Sequence, residues 1–196
     1  MFPRMLMAAL MALTAENLLF AGGNGFSRAL RAARRPQSAA LFAAFVTWFS
    51  LISSVAGVRL FPLLPGFGLE AQERLAVFSA VCTAAAYLVT AFVLRRMPQR
   101  LRAACAPVLA PAAVNTLVLA MPFVRQQFGF AAAEAVGYAL GTGAAFFLAA
   151  LVLSYAMERG HNPDAPRAFS GLPAALLYIG ILSMAFAGLT GTKVFS

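Results

Sequence analysis

The sequence predicts an all-α membrane protein of six transmembrane helices, arranged as two inverted three-helix repeats with spans 1 and 4 interrupted. Three observations carry this expectation. First, 62% of the 196 residues are hydrophobic and only 11% are charged, and the mean hydropathy of +0.82 lies outside ordinary soluble composition. Second, six apolar stretches are long enough to cross a bilayer core as helices, at about 4–23, 38–61, 73–95, 104–124, 131–157 and 171–192. Third, the first and fourth stretches alone carry an asparagine in mid-span beside helix-weakening residues. Asn17 precedes Gly22, Gly23 and Gly25, and Asn115 follows Pro107 and Pro111.

The separators between the stretches, "RAARRPQ", "LPGFGLEAQE", "RRMPQRLR", "RQQFGF" and "ERGHNPDAP", are polar or rich in glycine and proline. They leave no room for a soluble domain, so 1–196 reads as one polytopic domain. The N-terminal run "MFPRMLMAALMALTAEN" is read as a retained span rather than a signal peptide: its Leu13-x-Ala15 cleavage site is poor, and the apolar run continues past Glu16 to Phe20. Small residues crowd the later spans, as in "GYALGTGAA" and "GLTGT". They let helix backbones approach closely where lipid supplies no hydrophobic drive. The two asparagines lie 98 residues apart in a chain of 196, the spacing of two halves at about 1–100 and 101–196. With three spans per half, the second half enters the membrane from the opposite side.

The net charge of +9 sits in short arginine clusters between apolar spans, which suits headgroups and topology and excludes nucleic acid as a partner. Ten basic residues fall on one side, with Arg28, Arg31, Arg34 and Arg35 in the first loop and Arg95, Arg96, Arg100 and Arg102 in the third, and five fall on the other. Because the cytoplasmic side carries the excess, both termini are expected outside the cytoplasm, with the protein in the inner membrane. Cys82 and Cys105 lack CxxC spacing, so no disulfide framework or zinc site is expected. His161, the only histidine, reads as a loop residue beside Glu158 and Asp164, since metal sites need companions. Glu134 and Trp48 have ordinary interfacial or packing explanations. No nucleophile with a base, phosphate loop or metal cluster is present, so any enzymatic role is at most that of a non-catalytic subunit.

Glu16 stands out, because a carboxylate within a span costs about 2.5 kcal/mol or more unless it faces protein or water. It is either an ion or proton site or anchor for a broken helix, or a neutral acid packed against a neighbour. Asn17 and Asn115 are expected to satisfy backbone groups freed where the helices break.

These stretches resemble the six-helix integral-membrane subunits of the Rnf and Na+-translocating Nqr electron-transport complexes, and within that family the RnfA and NqrE type. That type shows "EN" or "NN" in the first span, then Gly-x-Cys, then a basic stretch. The corresponding letters here are Glu16-Asn17, then Gly25-Phe26-Ser27, then Arg34-Arg35. In the fourth span the family has Asn-Cys, where this chain has Asn115-Thr116 within "PAAVNTLVL". The ending "FSGLPAALLYIGILSMAFAGLTG" also looks like the family's. The resemblance implies a place beside an oppositely oriented homologue and other membrane subunits, the pair holding one [2Fe-2S] cluster on two cysteines from each. At both matching positions this chain departs, with Ser27 and Thr116 in place of the cysteines. Cluster iron takes thiolates, whereas aliphatic hydroxyls stay protonated and bind it poorly. Cys105 is eleven residues from Thr116, about 16 Å along a helix. The expectation is therefore a divergent RnfA-like subunit of an ion-translocating electron-transport complex with no cofactor of its own. Ser27 and Thr116 would be vestigial cluster positions, and Glu16, Asn17, Gly25 and Asn115 would line an interrupted-helix or ion path. The alternative is a repurposed inverted-repeat transporter or channel without redox chemistry.

Overall fold

The computed structural model describes residues 2–14, 17–20, 23–33, 36–64, 68, 70–159 and 171–190, and every regular element among them is helical. The order is α1 (Phe2–Leu13), α2 (Phe26–Ala33), α3 (Pro36–Arg59), a 3₁₀ turn (Phe61–Leu63), α4 (Ala71–Arg95), α5 (Gln99–Ala113), α6 (Thr116–Phe128), α7 (Ala132–Arg159) and α8 (Leu172–Thr190). Three stretches are long and apolar enough to cross a membrane: Ala39–Leu63, Ala71–Arg95 and Ala132–Met157. The pair α5 and α6 makes a fourth, bent by 45° at its break.

The fourth expected span is thus interrupted at the expected place. The first departs further from expectation than a kink. α1 has 12 residues, about 18 Å at 1.5 Å per residue, and helix resumes only at Phe26, beyond the predicted end of the span. Arg28 and Arg31, expected in a loop, lie on α2. The cause is local. Thr14 Oγ1 donates back to the Leu10 carbonyl at 2.8 Å. Asn17 then takes over the helix end, its Nδ2 donating to the Leu13 carbonyl at 3.2 Å and its Oδ1 accepting from the Leu19 and Phe20 N–H groups at 3.0 and 3.3 Å.

α3 and α7 form the centre of the bundle. α1 lies against α7 where Gly137 and Gly141 face the carbonyls of Met5 and Ala9, a small-xxx-small contact of the kind the sequence suggested. A methyl at either glycine would collide with that backbone. α3 meets α7 through Gly143, whose missing side chain makes room for Thr47, and through Phe42 stacked on Phe146 at 5.2 Å. α8 joins the edge of the bundle, with Phe186 stacked on Phe20 at 4.6 Å. α4 is the least enclosed of the long helices: 17% of its most apolar window is buried. Its inward stripe is Leu75, Ser79, Thr83 and Ala86.

Helix ends account for the remaining acidic groups described. Glu70 and Glu73 form a capping box at the start of α4, and Glu134 accepts from the Ala131 N–H at 2.9 Å at the start of α7. Trp48 donates from Nε1 to Thr90 Oγ1 at 3.2 Å, tying α3 to α4.

Candidate functional site

The site is built where the chain leaves helix twice. At the second break, Val114 adopts φ −84°, ψ 51°, outside the helical region, and Asn115 is extended at φ −105°, ψ 133°. Asn115 is the N-cap of α6: its Oδ1 accepts from the Leu117 N–H at 3.2 Å. This is the bond an N-cap asparagine supplies to an otherwise unpaired helix donor. The side chain is fully buried, and its Nδ2 has no partner.

At the first break, Gly23 and Gly25 take positive φ, +65° and +73°, which glycine alone adopts without strain. Gly25 then starts α2, its carbonyl accepting from the Arg28 and Ala29 N–H groups. Space demands glycine there as well. A Cβ at Gly25 would stand 2.7 Å from Asn115 Oδ1 and 2.8 Å from the Leu117 side chain, whereas one at Gly23 would meet nothing.

The two breaks touch. The Gly25 N–H donates to Thr116 Oγ1 at 2.6 Å, across 91 residues of sequence. The start of α2 therefore lies against the start of α6, and Ser27 is two residues on from Gly25, exposed on α2. The structure thus brings Gly25, Asn115 and Thr116 together with Ser27 adjacent. Asn17 is buried a few residues upstream, engaged with its own chain. Glu16, Gly22, Arg34, Arg35, His161 and Asp164 lie outside the described residues, as does the side chain of Glu158.

Two helix N-termini facing one place make it electropositive, and the nearest side-chain groups there are hydroxyls and amides. The cysteines do not join them. Cys82 is on α4, and Cys105 lies on α5 eight residues before its end, about 12 Å away along the helix. The thiolate ligands that a [2Fe-2S] cluster takes are not supplied by these residues.

Residue-by-residue reading of the sequence did not find that Thr116 accepts the Gly25 N–H. Nor did it find the buried hydroxyls of Ser50, Ser53 and Thr83. Their signal was present in "WFSLISS", where serines recur at helical spacing within an apolar span.

No protein-family model matches the chain. Curated relatives do. Over 108 residues it is 32% identical to the A-type subunit of the ion-translocating oxidoreductase complex of Aromatoleum aromaticum, a match covering 55% of this chain and 56% of that one. Over 79 residues it is 32% identical to the corresponding subunit of the proton-translocating ferredoxin:NAD(+) oxidoreductase complex of Clostridium ljungdahlii, covering 40% and 41%. Over 145 residues it is 26% identical to the corresponding subunit of the Na(+)-translocating ferredoxin:NAD(+) oxidoreductase complex of Acetobacterium woodii, covering 74% of each. In the first two of these the chain spans about half, or less, of the relative's length. Apolar helices long enough to span a bilayer and these matches agree on a membrane protein. The chain is a divergent homologue of the RnfA/NqrE-type subunits of ion-translocating oxidoreductase complexes.

Proposed function

We propose that this chain is a membrane subunit of an ion-translocating electron-transport complex of the Rnf/Nqr type, and that it has lost the iron-sulfur cluster its relatives' architecture implies. In this reading the six spans form two inverted three-helix halves in the inner membrane, with both termini outside the cytoplasm. The chain sits beside an oppositely oriented homologue and other membrane subunits. It contributes helices and part of an ion path, while electrons run through other subunits.

The observation that carries the reading is the 2.6 Å hydrogen bond from Gly25 to Thr116. It joins two helix breaks at matching places in the two halves, the arrangement by which inverted-repeat membrane proteins form a central site. The loss of the cluster is supported by chemistry at the same spot. Two hydroxyl residues stand at the positions where cysteines are expected, and one of the two hydroxyls already accepts a backbone N–H.

Purification under mild detergent, followed by identification of accompanying subunits and assay of iron and acid-labile sulfide, tests the proposal. The expected result is co-purifying redox subunits and no iron assignable to this chain. Isolation as a lone protein in a host whose redox subunits are expressed overturns the complex. Iron and sulfide that remain stoichiometric with the separated chain overturn the loss of the cluster. The inherited geometry is tested by the double variant Ser27→Cys with Thr116→Cys, which should crosslink on oxidation because a disulfide needs Cα atoms about 4.4–6.8 Å apart.

A further inference from the structure

We infer that α3, α4 and the α5/α6 break enclose a binding site for a partly dehydrated alkali-metal cation, sodium-sized, held by the hydroxyl oxygens of Ser50, Ser53 and Thr83. The inference deepens the ion-path reading above and rests on it.

Hydroxyls on these helices ordinarily spend themselves on their own backbone. Thr47, Thr90 and Thr142 donate to the carbonyls of Ala43, Ala86 and Tyr138, four residues back, at 2.7, 2.7 and 2.9 Å. Ser50, Ser53 and Thr83 do not: they are 0%, 1% and 5% exposed, and their hydroxyl oxygens have no partner. An unpaired hydroxyl in an apolar interior is costly, so three on facing helices point to something they hold.

Helix registers bring them to one level. Trp48 bonded to Thr90 sets α3 antiparallel to α4. Two turns back from Thr90 is Thr83, level with Val55 and about 3 Å along the axis from Ser53. α4 and α5 reverse through the short turn at 96–98, so α5 and α6 run with α3. Gly57 of α3 lies against Pro122 of α6, with 3.5 Å between a Cβ placed there and the proline Cβ. Two turns back on each helix, Ser50 comes level with Asn115.

A second observation, on a different element, points the same way. Pro122 has no N–H to give the Val118 carbonyl, and Val118 is fully buried. That carbonyl lies on the helix face that carries Pro122, which is the face toward α3. Nearby, Asn115 caps α6 with its oxygen and keeps its Nδ2 donors unspent, suited to a water accompanying the ion.

The chemistry selects the cation. None of these groups titrates near neutral pH, so the site does not carry a proton. It offers no carboxylate, which calcium and magnesium sites rely on. Neutral hydroxyl and carbonyl oxygens around a broken helix suit a singly charged hard ion.

The test is thermal unfolding of the full chain, purified in detergent with whatever subunits accompany it, in sodium chloride and in choline chloride of equal ionic strength. At sodium about ten times its dissociation constant, the midpoint should rise by about 2–4 °C. Thr83→Val and Ser53→Ala should each abolish the rise, Thr83→Ser should restore it, and Ser154→Ala on α7 should leave it intact. In choline, Thr83→Val should be as stable as the parent or more so, because it removes an unpaired buried hydroxyl. Equal midpoints in both salts, or a sodium increment that survives Thr83→Val, overturns the site. So does a Thr83→Val variant destabilised equally in both salts, which would mean that the hydroxyl holds water alone. These outcomes are separate from the complex: lack of accompanying subunits overturns the reading as a complex member without touching the sodium increment, and the converse also holds.

Discussion

The break at Asn115 occupies two residues, Val114 and Asn115, and α6 follows at once; the break that opens at Thr14 runs to Gly25 before helix resumes. Both use an asparagine whose oxygen accepts backbone N–H groups just ahead of it. At Asn115 the receiving residues continue as helix, so one side chain serves as an ordinary cap. At Asn17 they form a turn through 18–20 and lead on to glycines at positive φ, so the asparagine is the pivot of an irregular segment. Prolines precede one break and glycines follow the other. Pro107 and Pro111 sit within a helix that persists through them, whereas Gly23 and Gly25 hold backbone shapes that other residues resist. A proline-marked break is therefore short and bent, and a glycine-marked break is long and unwound.

The largest effect should come from the residue at which the two breaks meet. Gly25→Ala combines positive φ with a methyl inside the contact distance of Asn115 and Leu117. It should destabilise the protein by about 3 kcal/mol or more. Gly23→Ala shares the positive φ but has open space around it, so backbone strain alone should cost about 1 kcal/mol. Thermal unfolding of the pair separates the two contributions, and equal losses would mean that the contact between the breaks adds nothing.

The asparagines should differ next. Asn17→Ala removes two accepted bonds and one donated bond and should cost about 2 kcal/mol. Asn115→Ala removes one cap bond and also an unpaired buried donor, so its loss should be about 1 kcal/mol. A larger loss at Asn115 would reverse the comparison and assign the pivot to the fourth span.

How much of this was legible in the sequence follows from the same physics. Apolar length located the long helices α3, α4 and α7 within a few residues, because a bilayer-spanning run leaves little choice of element. The break at Asn115 was legible because prolines and an asparagine are local signals with local consequences. The first span was misjudged, since apolar residues at 18–20 read as helix whether or not a side chain has already captured the carbonyl and N–H groups at its end. Gly25 was singled out, but its need for empty space depends on Asn115 and Leu117, 90 and more residues away, which no local pattern reports. The unpaired hydroxyls were missed for the same reason. Serine in a span is ordinary until its backbone partner is found to be unused.

Thr116 offers a smaller test of the junction. Thr116→Val keeps the shape and removes the acceptor of the Gly25 N–H, and should cost about 1 kcal/mol. Thr116→Ser keeps the oxygen and should recover most of it, leaving only the lost methyl. If both variants behave alike, the 2.6 Å bond contributes nothing measurable and the breaks are held together by packing alone.

The smallest effect is expected from Pro111→Ala, and it asks what bends the fourth span. Proline within a helix removes one N–H and crowds the carbonyl four residues back, so Pro111 invites blame for the 45° angle between α5 and α6. Yet α5 continues two residues beyond Pro111 to Ala113, and helical geometry is lost only at Val114 and Asn115. There the Asn115 side chain takes over the Leu117 N–H. If the cap makes the bend, Pro111→Ala restores an N–H to the Pro107 carbonyl and leaves the break where it is. The unfolding midpoint should then stay the same or rise slightly, by less than about 1 kcal/mol in stability, and the Ser27→Cys, Thr116→Cys crosslink should form as efficiently as before. If the proline makes the bend, α5 should run on through Asn115, carrying Thr116 away from Gly25. The crosslink would then be lost in the Pro111→Ala background while surviving in a Pro107→Ala control, one turn earlier on the same helix.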